Sequence, residues 1–305
     1  MFLDFLGQSI NKSVVRVKWI IKPISVGALH KPGSGSLTPF AYSCAVLGIQ
    51  KLECYRVIIH LETTSFINST VWSLSSSEGT VGGIIEDAED ARAFQYKGNL
   101  YIYYQVPYRN TDGSQDCRIF IFDPIASKTR QVLCPFKFKG KNWIPFEDSG
   151  ALFFVYSLQP LVVFKVTSWN NENLSTQLVY DEGNFINKSI TWGDDQGAFG
   201  SIRGGSQLLQ ISENQFLGFT HITPPGILKF SHQAGAILYN SKENSFKHLT
   251  LTKLKPGLLI DPFGIEINGT NVRMIYSYSV NNPHEISSIV GSSVATFRIS
   301  DLDFI

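Results

Sequence analysis

The chain has 305 residues, of which 43% are hydrophobic and 17% charged, and its formal net charge is +1. A chain this long and this apolar can bury a sizeable core, as one large all-β domain or two ordinary domains, and its composition is not that of a disordered protein. The balanced charge excludes a general nucleic-acid or anionic-membrane binder. The same balance of charge leads us to expect no nucleic-acid partner. No apolar run approaches the roughly 18–20 residues of a membrane helix, so we also expect no membrane span.

Short runs rich in β-branched and aromatic residues recur along the whole chain, and no long amphipathic helical window is present. Turn signals separate many of these runs, for example Lys31–Gly35, Asn110–Gly113 and Asn268-Gly269. The pattern predicts an all-β fold with strands at 13–21, 41–49, 55–61, 100–106, 118–122, 152–156, 161–166, 207–211, 216–220, 235–239, 272–278 and 294–299.

Pairs of apolar strands followed by loop-rich stretches recur at roughly 50–60 residues, which is near the length of a four-stranded propeller blade. Five such units account for the whole chain without a linker. We therefore predict that residues 1–305 form a single domain, a five-bladed β-propeller, with approximate blades at 10–80, 84–135, 136–195, 196–250 and 255–305. Loops from every blade of a propeller meet at one mouth of its central channel, which is a natural place for an active site.

The densest charged segment is Glu86–Arg92, just before the strand pair 100–106 and 118–122. A carboxyl group held beside other carboxylates can keep its proton and serve as a general acid, and an adjacent arginine can hold an anion or hydroxyl groups. On the charge pattern alone, a solvated acidic loop explains the segment equally well.

Two further segments carry residues suited to sugars or phosphates. Lys141, Asn142 and Trp143 offer a cation, an amide and an apolar ring face, although the ring of Trp143 can equally belong to the core between blades. In the segment Arg203–Gln207, paired glycines allow backbone N–H groups to approach a ligand, and the arginine can bind an anion. A tight turn before a strand is the simpler explanation of the glycines.

Six histidines are present, and His221 and His232 flank the strand run that follows the Gly-Gly turn. By default each would be a hydrogen-bonded core histidine. The four cysteines, Cys44, Cys54, Cys117 and Cys134, match neither a metal site nor a dense disulfide framework, and we expect buried free thiols. No histidine metal motif, Gly-x-Ser-x-Gly elbow, Walker loop or Rossmann fingerprint occurs, so we predict no metal and no nucleotide cofactor.

Taken in order, these segments resemble glycoside hydrolase family 130, the five-bladed propeller mannoside phosphorylases and hydrolases, and the similar mannosyltransferase/phosphorylases of glycosyltransferase family 108. The resemblance spans about residues 84 to 290. The matching segments are Glu89-Asp90-Ala91-Arg92, Lys141-Asn142-Trp143, Arg203-Gly204-Gly205-Ser206, Phe219-Thr220-His221, His232-Gln233-Ala234-Gly235-Ala236 and Tyr276–Asn282.

The resemblance implies a single-displacement, inverting reaction in which Asp90 is the general acid, with Glu89 and Arg92 shaping its surroundings. It also implies a phosphate site made of Lys141, Asn142, Arg203, His221 and His232. The substrate contacts that it implies are Glu89, Arg92, Asn142, Trp143, Tyr156, Gly205, Ser206 and Asn282. Inorganic phosphate or a sugar 1-phosphate would be the co-substrate, with no other cofactor.

The sequence also departs from the family pattern. Ala91 stands in place of a proline, His232 in place of a tyrosine, and Asn282 in place of an aspartate. Inverting hydrolysis would need a second carboxylate as base, roughly 6.5–9.5 Å from the acid, and Asp194, Asp195 and Glu266 are the candidates. Because no base is evident and phosphate is already a nucleophile, the sequence favours phosphorolysis.

We therefore expect a carbohydrate-active enzyme that cleaves or forms a β-mannoside-type bond by phosphorolysis or by transfer from a sugar 1-phosphate. An inverting glycoside hydrolase and a non-catalytic sugar-binding propeller stay open as alternatives. The expected partner is a carbohydrate substrate, and a homo-oligomer is left open. Asp4 stands where a secretory signal would carry positive charge, and we expect the mature chain to start here and to be cytoplasmic.

Overall fold

A computed structural model gives the fold of the chain. It describes residues 14–21, 25–33, 41–60, 66–109, 115–134, 142–183, 202–222, 232–251, 254, 259–279, 290–302 and 304. Within these ranges the regular structure is almost entirely β-strand, with 3-10 turns at residues 182–183 and at Ile299–Asp301. No helix in the described part of the chain is long and apolar enough to cross a membrane.

Twenty-two strands follow one another along the described residues. They are β1 (Val14–Ile21), β2 (Ser25–Gly33), β3 (Ala41–Leu47), β4 (Gln50–His60), β5 (Phe66–Ser76), β6 (Gly79–Ile85), β7 (Glu89–Tyr96), β8 (Asn99–Arg109), β9 (Gln115–Asp123), β10 (Lys128–Leu133), β11 (Ile144–Asp148), β12 (Ala151–Leu158), β13 (Leu161–Trp169), β14 (Asn173–Asp181), β15 (Ile202–Gly204), β16 (Leu209–Ser212), β17 (Gln215–Ile222), β18 (Gln233–Asn240), β19 (Ser245–Leu251), β20 (Leu259–Asn268), β21 (Asn271–Ser279) and β22 (Val290–Arg298).

Neighbours in sequence pair as antiparallel meanders. The strands β3-β4-β5-β6 form one sheet, and β20-β21-β22 form most of another. An eight-stranded sheet consists of the runs β7 to β10 and β11 to β14, which are joined by a short parallel contact between β10 and β14. In the remaining sheet β17 pairs with both β15 and β16 on one side and with β18 on the other.

The first two strands do not pair with their neighbours in sequence. Strand β1 lies parallel to β19, and β2 lies antiparallel to β22. The N-terminal segment thus completes sheets built from the C-terminal third of the chain. These two pairings tie the N-terminal strands to the C-terminal sheets by backbone hydrogen bonds.

Tight hairpins set the register of two meanders. Ser149 and Gly150 lie between the paired residues Asp148 and Ala151, and both have positive φ angles, 51° and 74°. Positive φ at both central residues is the type I′ geometry, whose twist matches that of antiparallel strands. Gly269 also has a positive φ and lies in the turn between Asn268 and Asn271, which confirms the turn predicted at Asn268-Gly269.

The core consists of apolar clusters between successive sheets. Trp143, Phe154 and Phe164 belong to the cluster that the two halves of the eight-stranded sheet share. Phe146 contacts Phe216 and Tyr239 across the next interface, with ring centroids 5.2 and 5.3 Å apart. Each sheet therefore buries apolar residues on both faces, against the preceding and the following sheet.

The first strands of the meanders approach one another. Ser43 of β3 accepts a hydrogen bond from the N–H of Ala93 in β7 at 2.8 Å and donates one to the carbonyl of Phe263 in β20 at 2.9 Å. One buried hydroxyl thus links three sheets. Gln95 of β7 is linked in the same way to the fourth, because its N–H donates to Oε1 of Gln207 at 2.8 Å.

The predicted strands are confirmed as strands, but ten others were not predicted: β2, β5, β6, β7, β10, β11, β14, β15, β19 and β20. The segments missed are short, polar or rich in glycine, as in Gly79–Ile85. The turn signal that begins at Lys31 was also misjudged, since residues 31–33 belong to β2. The 110–113 turn signal lies outside the described residues.

Candidate functional site

Asp90 lies in a bulge at the start of β7. Glu89 pairs with Gln105 and Arg92 with Tyr103, so β7 spans three positions where β8 spans two. The extra residue gives Asp90 a positive φ of 51°. A bulge redirects a side chain out of the alternation of a strand. Residues 86 and 87 form an exposed turn, as the solvated-loop alternative expected, whereas Glu89 and Asp90 belong to β7.

Gln105 holds the Asp90 carboxylate from the neighbouring strand. Its Nε2 donates to Oδ2 of Asp90 at 3.1 Å, and its side chain is buried. The amide oxygen of Gln105 has no hydrogen-bond partner among the described residues. Gln105 therefore fixes the position of the proposed acid, and the sequence analysis did not single it out.

Arg92 is 1% exposed and forms the floor of the site. Its guanidinium donates to Oδ1 of Asn142 at 2.6 Å and to the carbonyl of Gly204 at 3.3 Å. Burial lowers the pKa of Arg92, while the nearby charges of Asp90 and Asp261 act in the opposite direction. Its Nε atom is buried and has no hydrogen-bond partner within the described part of the chain.

The backbone at Gly204 passes close to Asn142. A Cβ atom at Gly204 would lie only 2.0 Å from the carbonyl oxygen of Asn142, so only glycine fits. Asn142 itself has a φ of 72° and is 7% exposed. The close approach lets the carbonyl of Gly204 and the side chain of Asn142 contact the same guanidinium.

The second half of the site is a chain of polar contacts through His232. One guanidinium nitrogen of Arg203 lies 2.9 Å from Nε2 of His232, and Nδ1 of His232 lies 2.6 Å from Oδ1 of Asp261. The nearby histidines and Arg203 hold the pKa of Asp261 far below its usual range, although burial alone would raise it. Asp261 is therefore ionised throughout the working pH range.

His221 packs against this chain of contacts. Its ring stacks on that of His232 with centroids 4.7 Å apart, and its Nδ1 lies 3.8 Å from Oδ1 of Asp261. The Nδ1 atom has no hydrogen-bond partner among the described residues. Burial holds the pKa of His221 well below its usual value, so the ring is neutral near pH 7.

The two halves lie within electrostatic reach of each other. The charges of both Asp261 and Asp90 oppose the lowering of the pKa of Arg203 that burial causes. Arg92 bridges the halves, since it contacts Gly204, the residue that follows Arg203. Buried Arg92 and His221 thus form the floor, and the partly exposed side chains of Asp90, Arg203 and His232 form the rim.

His221, His232 and Asp261 also have the composition of a metal site, with donor atoms within 4.8 Å of one another. Arginine only donates, so its contact requires Nε2 of His232 to accept, and Nδ1 then carries the proton. A protonated Nδ1 has no lone pair for a metal ion. The arrangement with Arg203 therefore does not fit a metal.

Trp143 and Tyr156 are not placed as expected. Both are buried, at 1% and 4% exposure, and their rings pack edge to face with centroids 5.3 Å apart. Trp143 also stacks on Phe164. The two rings are packed in the core, as the alternative for Trp143 expected, and the main-chain carbonyl of Trp143 lies 3.5 Å from Arg92.

Gly205 and Ser206 differ from expectation for a similar reason. A Cβ atom at Gly205 would lie 2.4 Å from the carbonyl oxygen of Phe219, so the glycine allows strands, rather than a ligand, to approach. The Ser206 hydroxyl is fully buried and accepts a hydrogen bond from the N–H of Phe219 at 2.9 Å. Both residues support the backbone beneath the site.

Other predicted residues fall elsewhere. Lys141, Asn282, Asp194 and Asp195 lie outside the described residues. Glu266 forms an ion pair with Arg273 at 2.6 Å and is five residues from Asp261 on β20, or about 17 Å along a strand. It therefore lies away from the contact between His232 and Asp261. Glu89 is half-buried beside the bulge.

The sequence analysis missed Asp261, the carboxylate at the centre of the basic cluster. Asp261 precedes Pro262 on β20, a strand that was not predicted because proline and glycine interrupt its apolar pattern. Tyr103 was also missed, and its hydroxyl accepts a hydrogen bond from the N–H of Trp143 at 3.2 Å. Neither residue has a local sequence signal that would single it out.

No family model and no curated protein matches the sequence. Among solved structures, the chain is similar to MPT-4, a mannose phosphorylase from Leishmania mexicana in complex with a phosphate ion, with a TM-score of 0.56 and 9% identity over 93% of this chain and 92% of that one.

It is also similar to a glycosyl hydrolase from Bacteroides ovatus, with a TM-score of 0.54 and 9% identity over 90% of this chain and 91% of that one. For a GH43_1 enzyme from Xanthomonas citri complexed with xylotriose, the TM-score is 0.52 and the identity 12%, over 88% of this chain and 90% of that one. At these identities the likeness shows a shared all-β fold.

Proposed function

We propose that the protein is a carbohydrate-active enzyme that breaks or forms a β-mannoside-type bond by inverting phosphorolysis or by transfer from a sugar 1-phosphate. The observation that carries this proposal is the convergence of Arg203, His221 and His232 in one cluster within electrostatic reach of Asp90. Such a cluster suits an anion that must lie beside a proton donor.

The fold also supports a carbohydrate-active enzyme. The pairing divides into runs of four strands, β3 to β6, β7 to β10 and β11 to β14, followed by β15/β16 to β19 and by β20 to β22 with β2. We propose that these five runs are the blades of a five-bladed propeller and that the site lies at one mouth of its channel. Enzymes that include a mannose phosphorylase and glycoside hydrolases share the fold.

In the proposed reaction Asp90 gives its proton to the oxygen of the departing sugar as the bond from that oxygen to C1 breaks. A phosphate oxygen attacks C1 from the opposite face and forms the new bond, so the configuration at C1 inverts. The partly exposed guanidinium of Arg203, next to His232, offers the charged contact that an anion needs. The same steps in reverse transfer a sugar from its 1-phosphate to an acceptor.

Hydrolysis would need a carboxylate that can accept a proton from water. Asp261 is a poor base, because its pKa is held far below the usual range and its Oδ1 already accepts from His232. Glu266 is engaged with Arg273 at the other end of β20. Of the described residues, neither Asp261 nor Glu266 is suited to activate water, which supports phosphate as the nucleophile.

The test is phosphate release from α-mannose 1-phosphate, measured with and without a panel of mannose-containing acceptors. We expect release that requires an acceptor. Release at the same rate without an acceptor would favour hydrolysis. If no acceptor in the panel leads to phosphate release while calorimetry detects sugar binding, a sugar-binding propeller without activity would be favoured.

A further inference from the structure

The carboxylate of Asp261 sits where a phosphate site would be expected to exclude negative charge. It is 15% exposed and lies between two histidines, with Oδ1 at 2.6 Å from Nδ1 of His232 and 3.8 Å from Nδ1 of His221. A buried carboxylate beside an anion site weakens anion binding by direct repulsion. We therefore expect Asp261 to have a role that compensates for the weaker anion binding.

The contacts of His232 define that role. Arginine has no acceptor, so a hydrogen bond between Arg203 and Nε2 of His232 requires an unprotonated Nε2. A neutral imidazole then carries its proton on Nδ1, which is the atom that faces Asp261 at 2.6 Å. A carboxylate acceptor on one ring nitrogen selects this tautomer over the alternative.

We propose that Asp261 is a positioning residue that acts on the anion through His232 and Arg203. It fixes the proton of His232 on Nδ1, so that Nε2 accepts from Arg203 and holds the guanidinium in place. The anion named here, phosphate or a sugar phosphate, rests on the proposed function, whereas the tautomer of His232 does not.

The neighbouring charges agree with this role. Arg92 on β7, Arg203 on β15 and His221 on β17 all experience the charge of Asp261, and the charge of Asp90 on β7 also acts on Arg203. The proposed role therefore places His232 between the carboxylate of Asp261 and the guanidinium of Arg203.

The experiment uses the full chain and three variants, Asp261→Asn, Asp261→Ala and the matched control Glu266→Gln on the same strand. The first readout is the tautomer of His232, from long-range ¹H–¹⁵N NMR of the ring, with the signal assigned by its loss in His232→Gln. The second is the dissociation constant of inorganic phosphate from calorimetry.

We expect the Nδ1–H tautomer of His232 in the wild type, in Glu266→Gln and in Asp261→Asn, because the amide oxygen of asparagine still accepts from Nδ1. We expect Asp261→Ala to lose this tautomer preference and to bind phosphate about tenfold more weakly. A tenfold change corresponds to the loss of one charge-assisted hydrogen bond, here the one from Arg203 to phosphate. Asp261→Asn should bind phosphate at least as tightly as the wild type, because it keeps the acceptor and removes the repelling charge.

An Nε2–H tautomer in the wild type would overturn the proposal, as would Asp261→Ala binding phosphate like the wild type. A tenfold loss in Asp261→Asn would also overturn it, because charge and not the acceptor would then be the important property. If the wild type binds no phosphate while the tautomer pattern holds, the positioning of Arg203 stands and the proposed anion fails.

Discussion

Asp90 and Arg203 lie in opposite halves of the site and are held by different means. Asp90 is placed by its own backbone, through the bulge at the start of β7, and by Gln105 on the neighbouring strand. Arg203 is held by His232 and Asp261, which come from the region before β18 and from β20. The acid half depends on two adjacent strands, whereas the basic half depends on three sheet regions that are distant in sequence.

The difference affects how each half should respond to mutation. A side chain fixed by a local bulge keeps its place when distant residues change. A side chain held through a relay of hydrogen bonds depends on every member of the relay, so changes within the relay should be non-additive. The two halves should therefore be separable by experiment, with turnover assigned to one and anion affinity to the other.

The largest effect should come from Asp90→Asn, which removes a proton but little volume. If Asp90 is the general acid, kcat should fall by roughly 10²–10⁴-fold. Phosphate affinity should stay within about threefold, because the relay through His232 is intact. Steady-state kinetics and calorimetry measure the two quantities, with Asp148→Asn in the β11–β12 hairpin as control. Full activity in Asp90→Asn would exclude this residue as the acid.

Arg203→Met should have the opposite profile. We expect phosphate to bind at least about tenfold more weakly, since a charge-assisted hydrogen bond to the anion is lost. The free energy of unfolding of Arg203→Met should differ little from that of the wild type. Arg273→Met, a half-exposed arginine paired with Glu266, is the matched control. Unchanged phosphate affinity in Arg203→Met would show that the basic half is not the anion site.

His221 should make stability depend on pH. Its folded pKa is lowered by burial, so between that value and its usual pKa near 6.5 the unfolded chain binds more protons. Its contribution is therefore full above about pH 6.5 and is lost as pH falls, by at most about 1.4 kcal/mol per pH unit. The free energy of unfolding measured in urea should fall less between pH 7 and pH 5 in His221→Gln than in the wild type. An equal fall in the free energy of unfolding of both proteins would contradict the assignment of this pH dependence to His221.

The smallest effect should come from Gln105→Met, which removes the N–H that faces Asp90 but keeps the shape. A hydrogen bond donated to a carboxylate favours its charged form, so without it the acid should keep its proton to higher pH. We expect the alkaline limb of kcat/KM to move up by about one pH unit. The exposed Gln210→Met serves as control. A limb that stays in place would mean that Gln105 does not act on the acid.

The sequence was sufficient for the all-β class. It also singled out Asp90, Arg92, Asn142, Arg203, His221 and His232, which the structure brings near one another and whose roles stay predictions. These residues lie in short segments whose residue types already suggest their chemistry. For Trp143 the sequence left a sugar-binding face and a core position equally open, and the ring is buried in the core, where a large ring gains from burial. The local segment cannot reveal which surface a ring will contact.

Asp261 and Gln105 escaped prediction for a different reason. Gln105 belongs to an apolar strand and gains its role only from the register that puts Glu89 opposite it. Asp261 is brought to His232 by the packing of β20 against β17 and β18. Pairing between residues 29 positions apart or more is set by the fold and leaves no mark in either segment.

The central claim, that phosphate is the nucleophile beside Asp90, is tested most directly by following a β-mannobiose in phosphate buffer with ³¹P and ¹H NMR. The account predicts that α-mannose 1-phosphate appears together with free mannose, that its formation requires phosphate, and that Asp90→Asn forms none. Mannose released at the same rate with and without phosphate, with no sugar phosphate formed, would contradict the claim and identify the protein as a hydrolase.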